Sequence, residues 1–468
     1  MPSRQDQLHS YQFSVQRVVA ALVMRDTDPA QSPFRKVAGA TMAGALFAAL
    51  GMAGAVVFAL LGGSGSDWKA DGQVIIEKES GARYVYYKPD GKLHPAINYA
   101  SALLIADGAK PKAMMFSRKS LNAAPRGAPM GIAGAPDSIP ESGQLLKKPW
   151  TVCSGPGDTA GTGKPQSVVL VGQSVTAGDV MPATIEGAPG VLLVSTRDDQ
   201  TYLIYQNLRH RIVDPPTVLA AFAMSSQNVV RVAPAFVNAV PAGSDIGPTP
   251  IPGRGQRSTG VPGAKIGQVY IFSPIGGAKQ YGVVLADGVA EISEAQAALL
   301  IADKDTPAPP KVDVSGPSNS VKGSATTMPK RLPFDSNPKA AGELNGTVCI
   351  SLVDGQKVKE IRVKTAVPGV SVTATPKQTP SGGVLADQVS VPPGRGVLVE
   401  AMASANAPSG TLCLVTDLGI RYPLADPGLA SKLGYGDADR VKLPAAVVAM
   451  LPAGPALDPS AARNIANA

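Results

Sequence analysis

From Val37 to Leu61 the chain runs 25 residues without a charged side chain, VAGATMAGALFAALGMAGAVVFALL. A helix needs about 20 apolar residues to cross the hydrocarbon core of a bilayer. A cleaved secretory signal has an apolar core of only about 7–15 residues and begins near the N-terminus. This run is longer and follows 36 residues of polar and amphipathic sequence. The expected element is therefore a single transmembrane helix at 37–61, making this a single-span protein of the cytoplasmic membrane. Arg25, Arg35 and Lys36 lie just before the span, whereas Lys69 and Lys78 are the only basic residues in the 20 that follow it. Positive charge stays in the cytoplasm, so residues 1–36 are expected inside and roughly 400 residues outside. Trp68 stands where an interfacial aromatic anchor belongs. Gly39, Ala43, Gly44, Ala48, Gly51 and Ala55 are small, and small residues four apart let helices approach closely in lipid. A span that is merely rich in Ala and Gly gives the same pattern.

Before the span, Leu8 to Arg25 has apolar Tyr11, Val15, Val18, Val19 and Leu22 at helical spacing, with Arg17 and Arg25 on a more polar side. Asp26, Thr27, Asp28 and Pro29 end that pattern. Such a cytoplasmic helix can rest on lipid or dock on a protein. The reading adopted is a partner-binding stripe of Tyr11, Val15, Val18 and Leu22, because an anchored chain gains little from a second, weak lipid contact.

The remainder cannot be a helical bundle. Gly and Pro number 50 and 43, one residue in five, and both break helix interiors. The net charge of +8 is scattered, and two Trp and nine Phe offer few stacking platforms, so no nucleic acid partner is expected. Three His and three Cys, widely dispersed, do not make a multi-ligand metal site. No cofactor is expected.

Four segments share one plan. They are Tyr84–Ile97 followed by Tyr99–Leu103, Tyr202–Asp214 by Thr217–Phe222, Tyr281–Ile292 by Glu294–Leu299, and Leu412–Pro423 by Leu429–Leu433. Each reads as strand, tight turn, strand and short helix, with turns at Asp90-Gly91, Asn207, Asp287-Gly288 and Asp417. Asp-Gly supplies the positive φ of a type I′ turn. A hairpin and one helix bury too little surface to stand alone. The turns are 117, 80 and 130 residues apart, too uneven for a solenoid. The expected fold is an α+β extracytoplasmic region with four small hairpin-plus-helix repeats mounted on other structure. Repeats are placed at 67–130, 196–240, 262–303 and 406–452. Between them lie strand-rich pieces at Ser167–Val171, Val348–Val353, Val370–Thr375 and Gly396–Ala401. Pro241–Gly263 and Asp303–Leu344 read as connectors, and the tail 453–468 as frayed.

Cys153 and Cys349 each follow an apolar strand start. A bridge between them would close a loop of about 196 residues, for which chain entropy gives at most roughly 5 kcal/mol; the extracytoplasmic space permits one. Cys413 alternates with Val415 and reads as a small buried residue. Gly161-Thr-Gly163-Lys164-Pro165 imitates the end of a phosphate loop, but Asp158 stands where the first glycine belongs and Pro165 where Ser or Thr should bind magnesium. Gly253-Arg-Gly255 and Gly155-Pro-Gly157 lack dinucleotide-site spacing. His94 and His210 occupy equivalent places in two second strands and read as hairpin surface residues. No catalytic constellation is found.

Motifs in order along nearly the whole chain resemble EccB, the membrane component of actinobacterial type VII (ESX) secretion systems. They include Arg25-Asp26-Thr27 before the span, Leu93-His94-Pro95 with Asn98, and Ala100-Ser101-Ala102-Leu103-Leu104. Gly131-Ile132-Ala-Gly134-Ala135-Pro136, Trp150-Thr-Val-Cys153 and Asn238-Ala-Val-Pro241 follow. Val283 to Gly288, Pro392-Pro393-Gly394-Arg395-Gly396, Leu414 to Tyr422 and Leu451-Pro452-Ala-Gly454-Pro455 complete the series. The resemblance implies four repeats, similar to cell-wall-binding repeats of phage lysins, around a central β-rich domain, placed at 131–195 and 344–405, whose disulfide matches Cys153 and Cys349. It implies a homo-oligomerising subunit beside EccC-, EccD- and EccE-like membrane proteins, in a complex that exports WXG100-type proteins. Alternatives are a tether to peptidoglycan or an extracytoplasmic ATPase. ATP hydrolysis is sometimes assigned to the family, but without an intact nucleotide loop the motor role falls to EccC.

Overall fold

The computed structural model describes residues 3–25, 33–61 and 67–466, except 148–149, 158–162, 225–228, 273–276, 305–322, 325, 327, 329–331, 343–345, 354–356, 368–371, 377, 380–381 and 405. Side chains at 24, 33–37 and 57–61 are also outside the description. Most of the connector Asp303–Leu344 and the start of the strand expected at Val370 therefore lie outside it. The chain divides into two units, Met1–Ala70 and Asp71–Ala468.

The first unit is two helices. α1 (Arg4–Met24) starts earlier than the apolar periodicity because Ser3 and Asp6 form a capping box. The Ser3 hydroxyl accepts from the Asp6 amide, and the Ser3 amide donates to the Asp6 carboxylate at 3.0 Å. The cap ends at Arg25, whose φ of 57° is left-handed. α2 (Pro33–Leu61) opens on proline, which suits a first turn. Its stretch Ala38–Val56 is long and apolar enough to cross a membrane, and none of it is covered by protein.

The second unit is a set of sheets. Sheet I contains β1 (Gln73–Glu77), β2 (Arg83–Tyr87), β3 (Lys92–Pro95) and β4 (Lys112–Phe116), in the order β3-β2-β1-β4. The first three are antiparallel; α3 (Tyr99–Ile105) then crosses over, and β4 returns parallel to β1. α4 (Arg118–Leu121) follows. The central sheet begins with β5 (Trp150–Gly155), β6 (Gln166–Leu170) and β7 (Asp179–Val180). Sheet II has β8 (Thr184–Ile185), β9 (Ala188–Ser195), β10 (Thr201–Tyr205), β11 (Leu208–Arg211), α5 (Pro215–Ala221) and β12 (Val229–Arg231), then α6 (Pro234–Ala239). Its path is β11-β10-β9-β12, with β12 returning parallel to β9. Sheet III has β13 (Val269–Phe272), β14 (Gln280–Val284) and β15 (Val289–Ile292), then α7 (Glu294–Ala302).

β16 (Lys339–Ala340) adds to β9, and the central sheet resumes with β17 (Thr347–Leu352), β18 (Val358–Thr365), β19 (Thr373–Ala374) and β20 (Gln388–Ser390). Its order, β19-β20-β6-β5-β17-β18-β7, interleaves two distant stretches of chain. Sheet IV has β21 (Val397–Met402), β22 (Thr411–Val415), β23 (Arg421–Pro423), α8 (Leu429–Lys432) and β24 (Arg440–Pro444), in the order β23-β22-β21-β24. α9 (Ala445–Val448) and α10 (Pro459–Ala462) close the chain.

Two features differ from the sequence expectation. β9 and β21 pair with the hairpins of sheets II and IV, although boundaries at 195 and 405 put them in the central domain. Both are buried on two faces, so their uninterrupted apolar runs read like central strands. The tail is not frayed. Leu457 and Ala462 are fully buried, and the Ala466 amide donates to Pro129 O at 2.9 Å. Burying Leu457 alone contributes about 1.5–3 kcal/mol.

The short helices solve their burial problem in pairs. α3, α8 and α10 share one core with Leu103, Leu104, Leu414, Leu433 and Leu457. α5 and α7 share another, with Val218, Phe222 and Leu299. α6 lies on the central sheet, where Phe236 packs among Trp150, Val152, Val348 and Ile350.

Candidate anchoring and docking site

The anchor is α2. Gly39, Gly44 and Gly51 on it have nothing within 4 Å of where a Cβ would stand, and Ala43 and Ala55 are exposed. These small residues present an open helix surface. On α1, Tyr11 and Leu22 are 70% and 75% exposed, and Val15 and Val18 are also uncovered. An apolar stripe of this length in water is unfavourable unless lipid or protein covers it.

The second unit is pinned by a bridge. β5 and β17 are antiparallel neighbours with Cys153 directly opposite Cys349. Their sulfurs are bonded at 2.05 Å, with Cα atoms 4.0 Å apart. Strand alternation sends Trp150, Val152, Val348 and Ile350 to one face and both cysteines to the other, against Val168, Leu170 and Val175. Strands from 150–180 and from 347–390 thus form one bridged sheet, with sheets II and III inserted between them in sequence. Cys413 is buried, and burial pushes its thiol up.

His94 and His210 are not surface residues; they are 4% and 2% exposed. Each sits at the same register in its hairpin, opposite Val85 and Leu203. Each Nδ1 bonds a carbonyl 34 residues on, His94 to Ala128 O at 2.7 Å and His210 to Ser244 O at 2.8 Å. Below each ring is a glycine, Gly127 and Gly243, where a Cβ would stand 2.1 and 2.3 Å from the ring. In sheet IV Tyr422 fills that place over Gly454, at 2.2 Å. In sheet III the position is Ala290, opposite Val283. The repeated ring–glycine spacing is a signal that sequence reasoning missed. His94 Nε2 also meets Asp90 at 2.8 Å. Burial works against ionising Asp90, but bonds from His94 and the Lys92 amide hold its carboxyl below the usual range. His210 Nε2 has no such partner among the described residues, and burial holds its pKa below the ordinary histidine value.

The hairpin turns differ from one another. Of the turns in the four hairpin-plus-helix segments, Gln206-Asn207 alone carries the two consecutive positive φ values, 47° and 65°, of the expected type I′ turn. At Asp90-Gly91 only Gly91 does, at 68°, because the loop is longer and its amide returns to Tyr87 O.

The phosphate-loop imitation is a hairpin loop. Residues 158–162 lie outside the described residues, but Lys164-Pro165 leads straight into β6, which pairs antiparallel with β5. A phosphate site needs amides at a helix N-terminus after that lysine. Among the described residues no group of three or more His, Cys, Asp or Glu is placed to hold a metal ion.

The family model for the type VII secretion system ESX-1 transport TM domain B matches residues 1–467. The ESX-2 secretion system ATPase EccB2 of Mycobacterium tuberculosis is 28% identical over 417 residues, covering 84% of this chain and 81% of that protein. The ESX-3 secretion system ATPase EccB3 of Mycolicibacterium smegmatis is 25% identical over 478 residues, covering 96% and 88%. The fold is similar to a chain in an intact ESX-5 inner membrane complex, with a TM-score of 0.63 and 22% identity over 100% of this chain and 96% of that one. It is also similar to the EccB3 dimer of the ESX-3 core complex, with a TM-score of 0.59 and 22% identity over 84% and 99%. With one bare apolar helix, a bridged β-rich body and a family match from end to end, the chain belongs to the EccB family of type VII secretion membrane components.

Proposed function

We propose that this chain is a structural membrane subunit of a type VII secretion complex, held by one span with its N-terminus in the cytoplasm and its β-rich body outside. The observation that carries the reading is α2, an apolar helix with no protein cover, in a chain that matches the family throughout. A chain of similar fold occurs in an intact ESX-5 inner membrane complex, and EccB3 occurs as a dimer in an ESX-3 core complex. By analogy this chain meets EccC-, EccD- and EccE-like subunits and a second copy of itself, and supports export of WXG100-type proteins. The bridge between β5 and β17 supports an oxidising exterior location.

Sheets I, II and IV support the finer reading of one module, three antiparallel strands, a helix and a parallel return strand. The place shared by His94, His210, Ala290 and Tyr422 extends it to sheet III. On this reading four modules stand around the seven-stranded sheet. ATP hydrolysis is left out, because Lys164 enters a strand rather than a helix.

Deleting the gene should abolish export of WXG100-type proteins, and the full chain should restore it. A form beginning at Asp67 and delivered outside as a soluble protein should not. Restoration by that soluble form would contradict a role that depends on the anchor. Protease added to spheroplasts should remove the body and leave a short membrane-protected piece; protection of the body would reverse the orientation.

A further inference from the structure

The first and last parts of the outer unit are built into one another. Seven-residue α3 buries six of its residues, and its core comes from both ends of the chain: Val74 and Val85 from sheet I, and Leu414, Leu433 and Leu457 from beyond residue 410. Isolated helices this short are unstable in water, so α3 depends on the later residues. Lys432 Nζ donates to Leu104 O at 2.8 Å, and the Tyr435 hydroxyl to Pro140 O at 2.7 Å.

The C-terminal segment completes the junction. Residues 453–457 run beside β23, with the Leu457 amide donating to Pro423 O at 2.7 Å. Asp458 then caps α10 by accepting from the Ser460 amide at 2.9 Å. Beyond α10 the chain reaches residues 129–131, a segment that lies alongside the end of β3, with the Met130 amide donating to Pro95 O at 2.9 Å. Met130 and Ile465 form an antiparallel bridge, the Gly131 amide donates to Asn464 O at 3.3 Å, and the Ala466 amide to Pro129 O. Ala462 is fully buried, in the α3 core. The central sheet draws on a different core from α3, one it shares with Val397, Val399, Val415 and Leu443 of sheet IV, and it has its own covalent bridge.

We infer that residues 458–466 are a strap that locks sheet I and α3 onto sheet IV, and that releasing it opens sheet I while the central sheet stays folded. The strap leaves sheet I and α3 incomplete until residues 458–466 are in place. It is also a point at which the segment that follows the span can be uncoupled from the body.

Hydrogen exchange on the full chain in detergent tests this. Truncation after Leu457, or Ala462→Glu in the intact chain, should speed exchange of α3 and β1 by about tenfold or more, with β5 and β17 unchanged. Pairing Met130→Cys with Ile465→Cys should form a second disulfide and slow α3 exchange relative to either single variant. Unchanged α3 exchange in both strap variants would overturn the inference. So would a rise in β5 and β17 as large as that in α3, because the strap would then hold the whole body. Failure of the paired cysteines to alter α3 exchange once joined would overturn it as well.

Discussion

A methyl group on Gly127 would stand 2.1 Å from the His94 ring, and one on Gly243 2.3 Å from the His210 ring. Neither glycine has a positive φ, so the constraint is space rather than backbone conformation. Gly127→Ala and Gly243→Ala should each cost about 1–3 kcal/mol by overpacking. Gly323→Ala, with nothing within 4 Å, should change stability by no more than about 0.5 kcal/mol. Urea unfolding of the three variants checks the contrast. His210 carries a pH dependence of known sign. Its folded pKa is lowered by burial, so the unfolded chain binds more protons between that value and about 6.5. Its contribution is therefore full above about pH 6.5 and falls as the solution is acidified. His210→Gln should flatten the fall in stability between pH 7 and 5; an unaltered slope would contradict the assignment. The equivalence of His94 and His210 was legible in the sequence. Their burial was not, because the glycines that make room stand 33 residues away, across two helices and a strand.

At the scale of elements, the bridge joins strands that no local signal could pair. Replacing Cys153 and Cys349 together by Ala should lower stability by up to about 5 kcal/mol. A loss under about 1 kcal/mol in equilibrium unfolding would mean that the β5–β17 pairing is held by packing alone. On α1, replacing Val15, Val18 and Leu22 by Ser should leave the protein in the membrane, since α2 is untouched, but release it from its partners. Recovery of partners at wild-type yield would place the assembly contacts elsewhere. The hairpins and their following helices were readable because one face is polar and the period is two. The opening strands β9 and β21 were not assigned to their sheets. They are apolar on both faces, and the periodicity disappears with the polar side. The tail looked frayed because Pro, Ala and Asn carry no pattern, yet its few apolar residues meet a core already built.

For the whole molecule, the membrane helix was the most legible feature, because 25 uncharged residues have few other uses. The architecture beyond it required pairing ends far apart in sequence: sheet I with sheet IV, and residues 150–180 with 347–390. Such pairings arise from packing between sheets, and no window of sequence contains them. The central claim is that this chain is a structural subunit of a membrane secretion complex. Affinity purification of a tagged chain from gently solubilised membranes, followed by native electrophoresis and mass spectrometry, tests it most directly. The account predicts a large assembly containing EccC-like and EccD-like proteins and more than one copy of this chain. A chain that elutes alone, as a monomer free of other membrane proteins, would contradict it.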